Sequence, residues 1–394
     1  MGARLGRHMD IEIRRYTEEE LGCWLAFHRM ISPTFKTSYA KLLIDRFQDV
    51  KEAWHAAPDD IQQRDPNITD AFIKAFIEKR NQIDPDNLIT ELRRTDVDAI
   101  PQADPRYPYL LRELDGAPLI LFVRGKLQEM DFSTCVGVVG TRRPSAYGSK
   151  IAKEISHDLA ENGAVVASGL ALGIDSLSHW GAIEGGGRTI AVLAHGPDLC
   201  YPSSNKRLYQ RILDGHGIGI SEFFPGTKPD KWHFPARNRI ISGISKAVVV
   251  VEAPTESGAL ITARMAVEQS HDVYCVPGRV DSPTSAGTND LIRSGAKLVR
   301  NAQDVLDELA WVRTKYREAT TVVELYGREK EIYDLLSTEP MHFDVLCEKA
   351  NMKAGELSST LTMLELAGLL ERHPGDWYSR MQPSARRVMP GFPA

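Results

Sequence analysis

The sequence has few cysteines and no closely spaced pair of them. Its five cysteines, Cys23, Cys135, Cys200, Cys275 and Cys347, are scattered over 394 residues. Without a CxxC pair or a Cys/His cluster, neither a zinc site nor a disulfide framework is supported, and we expect no metal and no cofactor. Dispersed cysteines are typical of a reducing compartment, so we expect a cytoplasmic protein.

Long apolar runs are also absent. No stretch approaches the ~20 consecutive apolar residues that span a bilayer. The first residues, MGARLGRHMDIEIRR, carry charges where a signal peptide needs an apolar centre. We therefore predict no membrane segment and no export. The composition, 42% hydrophobic and 26% charged, is ordinary for a globular protein, and the length favours two or three domains.

The chain lacks a strong net charge. Its formal net charge of −5 argues against a uniformly basic nucleic-acid binder. The centre differs from the flanks: residues 135–300 hold 18 Lys and Arg against 15 Asp and Glu, a net charge of +3, whereas each flank is −4. A local positive surface is enough for phosphate contacts, although a bias scattered over the surface would give the same total.

The spacing of apolar residues divides the chain. Residues 1–95 show three- and four-residue spacings, which predict a helical domain. In residues 96–310, apolar runs alternate with amphipathic segments, which predicts a mainly parallel α/β sheet covered by helices on both faces. Loops that follow parallel strands share one edge, so that edge is the predicted ligand site. The predicted strands are Val136–Val139, Ala164–Ala167, Thr189–Leu193, Ala247–Val251 and Val273–Val276.

The C-terminal region has a different pattern. Residues 311–324 are predicted as a linker, residues 325–382 as three helices with a strand–turn–strand wing, and residues 383–394 as a tail. This is the outline of a winged helix-turn-helix. Its predicted recognition helix, Glu356 to Gly368, contains no Lys or Arg. Contact with another protein is therefore as good an interpretation of this domain as contact with duplex DNA.

Small, hydroxyl and basic residues follow several predicted strands. Glycine lets a backbone approach an anion, and the N–H groups at a helix start favour negative charge. These turns lack both GxxxxGK[ST] and a complete GxGxxG, which disfavours ATP and dinucleotides. A tight turn also needs glycine for geometry alone, so each turn by itself is a weak signal. The candidate anion contacts are Gly140, Thr141, Arg142, Arg143, Ser168, Gly169, Ser257 and Gly258.

The segment KWHFPARNR combines an aromatic ring with cations and an amide. Its candidate contacts to nucleic acid are Lys231, Phe234, Arg237, Asn238 and Arg239. Stacking of a base on an aromatic side chain is worth about 1–3 kcal/mol, and single-strand binders combine it with phosphate contacts. The alternative is that Phe234 lies in the core and the arginines form structural ion pairs. We expect at least one of the two arginines to be structural.

Other polar residues are expected to serve the local structure. Asp175 is predicted to cap the helix SLSHWGAIEGG, Ser257 is a candidate cap for the helix that follows it, and Ser204 or Asn205 can cap another helix. His195, close in sequence to Asp198, invites an acid–base interpretation. No serine or cysteine nucleophile at a recognisable elbow accompanies it, so a structural role in a turn is favoured.

Seven motifs, in their order and spacing, resemble those of the DNA-processing protein A family (DprA, also called Smf): GTRRPSAYG, ASGLALGID, GPDLCYPSSN, FPARNRIISGIS, VVEAPTESGALITA, VPGRV and GTNDLIRSGA. The resemblance covers residues 107–300 and extends into both flanks, where the N-terminal helices would correspond to a sterile-alpha-motif-like domain. It implies an extended Rossmann-like domain that binds single-stranded DNA, forms homodimers and passes the strand to the RecA recombinase. That step would protect and recombine DNA taken up in natural transformation.

The resemblance also implies roles for single residues. Phosphate would be bound by Gly140, Thr141 and Arg142, and further anion contacts would come from Ser168-Gly169 and Ser257-Gly258. A positive charge would come from Lys231 and a stacking surface from Phe234. The groove would be completed by Arg237, Asn238 and Arg239.

An enzymatic alternative remains. Nucleotide hydrolases on a related Rossmann-like fold use similar turns to bind phosphate, and they carry a PGGxGTxxE signature. The comparable segment here, APTESGALITA, lacks those glycines and the spaced glutamate, and its nearby carboxylates are Glu252 and Glu256. We therefore expect a binding protein rather than an enzyme.

Overall fold

The structure is a computed structural model. It describes residues 16–31, 35–309, 327–337, 340–366, 369–373 and 375–380. The chain divides into two compact units, Met1–Tyr316 and Arg317–Ala394. The predicted linker 311–324 and tail 383–394 lie outside the described residues. Across the described ranges, no helix is long and apolar enough to cross a membrane.

Helices make up the first part of the chain, as predicted. The aromatic rings of Phe27, Trp54 and Phe76 pack against one another in their core, with centroids 5.2–6.2 Å apart. Pro58 and Pro85 each occupy the first turn of a helix, where a missing N–H costs nothing. The helices are α1 (Glu18–Met30), α2 (Thr37–Phe47), α3 (Val50–His55), α4 (Pro58–Arg64), α5 (Asp70–Arg80) and α6 (Pro85–Arg93).

A large mixed sheet follows. Its order is β1-β2-β6-β5-β4-β3-β7-β8-β9; the strands from β6 to β9 are parallel, and β2 pairs antiparallel with both β1 and β6. The five predicted strands are confirmed to within one residue at each end. The strands are β1 (Asp98–Pro101), β2 (Ile120–Gly125), β3 (Cys135–Val139), β4 (Val165–Ser168), β5 (Thr189–Leu193), β6 (Gly217–Ser221), β7 (Ala247–Val250), β8 (Asp272–Cys275) and β9 (Lys297–Leu298).

Both faces of this sheet are covered. In β7, Val248 and Val250 pack into one hydrophobic core while Val249 packs into another, because successive side chains of a strand point to opposite faces. This arrangement confirms the predicted doubly covered, mainly parallel sheet. The helices of this region are α7 (Tyr109–Arg112), α8 (Ala146–Glu161), α9 (Ile174–Glu184), α10 (Lys206–Arg211), α11 (His233–Gly243), α12 (Gly258–Glu268), α13 (Ala286–Arg293) and α14 (Ala302–Glu308).

The second unit has the predicted winged-helix pattern. A small sheet of order β10-β12-β11 accompanies three helices, whose core includes Ile332, Leu346 and Leu361. The limits predicted for all the domains stay predictions. The elements are α15 (Gly327–Leu335), β10 (Met341–His342), α16 (Phe343–Ala350), α17 (Ala354–Leu366), β11 (Leu370–His373) and β12 (Trp377–Arg380).

His28 of α1 is half-buried where the N-terminal helices meet the sheet. Its ring lies edge-on to Phe122 of β2, with the centroids 5.2 Å apart. Among the described residues its Nδ1 has no hydrogen-bond partner. Burial lowers the pKa of His28 to about 4, and the neighbouring charge of Arg29 lowers it further. The folded protein therefore keeps this imidazole neutral at pH values where an exposed histidine is protonated.

This burial predicts a loss of stability in mild acid. Below pH 6.5, the ordinary histidine pKa, His28 binds a proton in the unfolded chain. In the folded protein it stays neutral until the pH approaches 4. The free energy of unfolding should therefore fall by about 2 kcal/mol between pH 7 and pH 5 through His28 alone. Urea unfolding of wild type and His28→Phe at both pH values measures this term, with the exposed His55→Phe as control. An unchanged pH dependence in His28→Phe would refute it.

Candidate nucleic-acid interface

The loops after β3 and β4 pack directly against each other at the carboxyl edge of the parallel strands, which we call the binding edge. The carbonyl of Thr141 accepts a hydrogen bond from Ile174 N–H (3.2 Å), and Thr141 N–H donates to the carbonyl of Glu252 (2.7 Å). Gly173 has a φ of +80°, and a Cβ there would lie 2.4 Å from the Thr141 oxygen. Only glycine allows this approach, so the two turns form one structure.

The carboxylate of Glu252 fixes the loop after β3 from below. It accepts hydrogen bonds from the N–H and the hydroxyl of Ser145 (both 2.8 Å) and from the hydroxyl of Thr284 (2.7 Å), and it is buried. Ser145 in turn caps α8 by accepting from Gly148 N–H (3.0 Å). Because these donors engage both of its oxygens, Glu252 acts as a structural acceptor. Glu252 is therefore not the available carboxylate that the hydrolase alternative needs.

Arg237 lies under the binding edge rather than on it. The side chain is only 4% exposed, and its Nη1 donates to the backbone carbonyls of Gly169 and Val192. A Cβ at position 169 would lie 2.1 Å from that nitrogen, so glycine leaves the space that the guanidinium fills. The expectation that at least one arginine of this segment is structural fits this geometry.

Asp175 balances the buried charge of Arg237. Burial raises the pKa of this carboxyl while Arg237 opposes the rise, and burial lowers the pKa of Arg237 to about 10, so the guanidinium stays charged at neutral pH. The predicted capping role of Asp175 is wrong, because Gly173 is the N-cap of α9. The carboxylate instead accepts from the N–H groups of Gly169 (3.2 Å) and Ala171 (3.4 Å).

The rest of the FPARNR segment also makes internal contacts. Arg239 forms an ion pair with Glu222, in the loop after β6. Asn238 donates through its amide to the carbonyl of Gly258 (3.5 Å), at the start of α12. The capping role considered for Ser257 is confirmed, because its hydroxyl accepts a backbone N–H of the first turn of α12 (3.3 Å). The contacts of Arg239 and Asn238 hold α11 against the loop after β6 and the start of α12.

Three further candidates are buried and hydrogen-bonded. The hydroxyl of Ser168 donates to the carbonyl of Val138 (2.6 Å). Asn205 occupies the N-cap of α10, but its side chain makes no capping bond and instead donates to the carbonyl of Leu170 (2.9 Å). His195 contacts the carbonyl of the next residue through Nδ1 (2.9 Å), and burial lowers its pKa. Each of them shapes a loop of the binding edge.

An exposed cation and an aromatic ring do meet at the surface. The guanidinium carbon of Arg142 lies 5.3 Å from the ring centroid of Phe234, which joins the loop after β3 to the start of α11. Arg142 and Arg143 are both exposed, and among the described residues neither forms an ion pair. Lys231 is exposed as well, with its Nζ 5.0 Å from the ring of Trp232. The structure therefore brings these predicted side chains to one edge.

Two aromatic residues at this edge escaped the sequence analysis. Trp232 is 73% exposed, and Tyr201 is 47% exposed with its ring centroid 6.0 Å from that of Phe234. The position of Trp232 in the sequence, between Lys231 and Phe234, could have identified it as a candidate contact. No comparable signal existed for Tyr201, because it comes from a different loop and only the folded chain places it beside Phe234.

A doubly covered, mainly parallel sheet defines a Rossmann-like protein, and the exposed cations and rings at its strand ends make that edge the candidate site for an anion. Comparison with known proteins then names the family. Residues 98–310 match the model of DNA recombination-mediator protein A, and residues 318–376 match the DprA winged helix domain. The chain belongs to the DprA/Smf family of DNA-processing proteins.

Individual relatives agree with this assignment. Protein Smf of Synechocystis sp. is 32% identical over 399 residues, which cover 92% of this chain and 99% of the relative. DNA processing protein DprA of Bacillus subtilis is 40% identical over 231 residues, covering 59% and 77%. The X-ray structure of DprA from Streptococcus pneumoniae superposes with a TM-score of 0.63 at 35% identity, covering 75% of this chain and 99% of that one. The family and the fold predicted from the sequence are confirmed.

Loss of the buried guanidinium should destabilise the central domain. Arg237→Ala leaves Asp175 buried without its counter-charge, so the free energy of unfolding should fall by about 3–5 kcal/mol. Urea unfolding measures the change. The exposed Arg142→Ala is the matched control and should differ from wild type by less than about 1 kcal/mol. If Arg237→Ala unfolds at the same urea concentration as Arg142→Ala, the role assigned to the buried guanidinium is wrong.

Proposed function

We propose that this chain binds single-stranded DNA along the binding edge and works as a recombination mediator. It protects incoming single strands and loads the RecA recombinase onto them during natural transformation. The observation that carries the proposal is the contact between Arg142 and Phe234. An exposed guanidinium beside an aromatic ring offers one group to a phosphate and the other to the face of an unpaired base.

The free cations of the edge supply the phosphate contacts. Arg142 and Arg143 stand on the loop after β3, and Lys231 stands before α11, so the positive charge extends over two loops. Gly258 adds room, because no atom lies within 4 Å of a Cβ built there. Phosphate contacts and base stacking carry little sequence information, so we expect binding with little sequence preference.

The other predicted residues receive a supporting role in this proposal. They hold the loops in place while the exposed groups contact the strand. In this proposal the protein binds DNA and does not catalyse a reaction. From the family resemblance we also propose that the protein acts as a homodimer. The supporting residues are Gly140, Thr141, Ser168, Gly169, Arg237, Asn238, Arg239 and Ser257.

Removal of a surface cation should weaken binding and its salt dependence together. A hydrogen bond to a charged group contributes about 1.5–3 kcal/mol, so Arg142→Ala and Lys231→Ala should each bind labelled oligo-dT about ten-fold or more weakly. The slope of log K against log salt should fall by about one. Fluorescence anisotropy titrations at several salt concentrations measure both quantities.

The matched control is a cation on the opposite edge. Lys126 follows β2 next to the first residues of β6, and it pairs with Glu129 (3.2 Å). Lys126→Ala should bind oligo-dT as wild type does. Wild-type affinity in both Arg142→Ala and Lys231→Ala would defeat the proposed site.

The mediator role predicts a second effect of the same substitution. Wild-type protein should stimulate RecA-dependent strand exchange on DNA already coated with single-strand binding protein. Arg142→Ala should stimulate it less at protein concentrations below its raised dissociation constant, because it occupies less of the strand. Exchange yield against protein concentration measures this. Equal stimulation by wild type and Arg142→Ala across the titration would show that recombinase loading does not depend on the binding edge, which would contradict the proposed mediator role of that edge.

A further inference from the structure

We propose that Tyr201 and Trp232 extend the site into an aromatic shelf, made of Tyr201, Trp232 and Phe234, on which more than one unpaired base stacks. The inference rests on the proposed function and goes beyond it by assigning a second base-binding position. It identifies the ligand of that position as the face of a nucleobase, whereas Arg142 and Lys231 contact the phosphates.

Trp232 is held by its backbone and free at its side chain. Its N–H donates to the carboxylate of Asp230 (3.0 Å), and the next N–H donates to the carbonyl of Asp230 (3.0 Å). The turn thus fixes the residue just before α11, while the side chain remains 73% exposed. An exposed indole on an ordered turn is available for stacking, and the fixed backbone means that only the side chain has to be ordered when it stacks.

Tyr201 lies beside Phe234 and comes from another loop. Its ring centroid is 6.0 Å from that of Phe234 and the two planes are inclined by 55°, so the rings are not stacked on each other, and Tyr201 remains 47% exposed. The loop is anchored by Asn205, whose buried amide donates to the carbonyls of Leu170 (2.9 Å) and Ala171 (3.3 Å). The loop that carries Tyr201 is therefore hydrogen-bonded to the turn after β4, which also accepts a hydrogen bond from Arg237.

The charges around the shelf favour a nucleic acid over a protein partner. Lys231 lies over Trp232 (5.0 Å to the centroid) and Arg142 lies over Phe234 (5.3 Å). The exposed ring of Trp232, just before α11, and the half-buried ring of Phe234, in its first turn, are thus each paired with a cation, and the two rings are two residues apart in the chain. A strand with a phosphate between successive bases matches an alternation of rings and cations.

Two oligomers separate base stacking from phosphate contact: oligo-dT and an abasic deoxyribose-phosphate chain of equal length. Trp232→Ala should bind oligo-dT about ten-fold more weakly than wild type, a loss typical of one stacked base. It should bind the abasic chain as wild type does, with an unchanged salt slope, because no phosphate contact is lost. Tyr201→Ala should show the same pattern, and Tyr201→Phe should restore binding.

The variant Trp232→Phe tests for direct contact between a base and the indole, because a purely structural role of Trp232 would not affect the fluorescence change on DNA binding. Phenylalanine keeps a stacking face, so affinity for oligo-dT should stay within about three-fold of wild type. The quenching of tryptophan fluorescence on adding oligo-dT should be largely lost, because the indole in contact with the base has been removed. Quenching equal to that of wild type would show that the bases do not reach Trp232 and would overturn the proposal.

Failure of the shelf and failure of the site are distinguishable. If wild type binds oligo-dT and Arg142→Ala binds it weakly, but Trp232→Ala and Tyr201→Ala both match wild type, the edge binds the strand and the shelf is wrong. Equal losses for oligo-dT and the abasic chain in Trp232→Ala would also overturn it, since they would indicate a disturbed loop. If wild type binds neither oligomer, the proposed function itself fails.

Discussion

The buried contact between the Arg237 guanidinium and two backbone carbonyls is the constraint on which the binding edge depends. It ties α11 to the turn after β4 through Gly169 and to β5 through Val192. Burying a cation costs several kcal/mol unless it is paired and hydrogen-bonded, and Asp175 supplies the opposite charge. Movement of the guanidinium would weaken both of its hydrogen bonds to buried carbonyls, so the contact favours a single position. The turn and the helix therefore keep one relative position.

The residues of the binding edge form two layers, a buried one and an exposed one, with different roles. The inner layer is buried and occupied by partners: Arg237 binds carbonyls, and Glu252 binds hydroxyl and amide donors. The outer layer is exposed: Arg142, Arg143 and Lys231 remain accessible to solvent. Because the inner layer orders the loops before any ligand arrives, binding at the outer layer costs little additional loop entropy. Polar residues with similar chemistry thus stabilise the loops in one layer and, in the proposed function, contact the ligand in the other.

The fold was largely predictable from the sequence because valine-rich runs identify strands buried on both faces. Strand β6 escaped because its sequence, GIGIS, interrupts the apolar run with glycine. The site was only partly predictable. Arg142 and Arg237 occur in equally basic motifs, and nothing in their local sequence tells which is exposed and which is buried. That difference arises from contacts between β4, β5 and α11, which no local pattern records.

The N-terminal helices also take part in placing the binding edge, through the loop after β6. Glu222 pairs with Arg239 of α11, and the ring of Phe223 stacks on the histidine that begins α11, with centroids 4.0 Å apart. The next residue, Phe224, lies under the guanidinium of Arg29 from α1 (4.7 Å). These three consecutive residues thus contact both α11 and α1. Because α11 carries an aromatic ring of the site near its start, the helical region helps to set the distance between that ring and the loop after β3. If the proposed function holds, the helices would influence DNA binding through this distance without touching the strand.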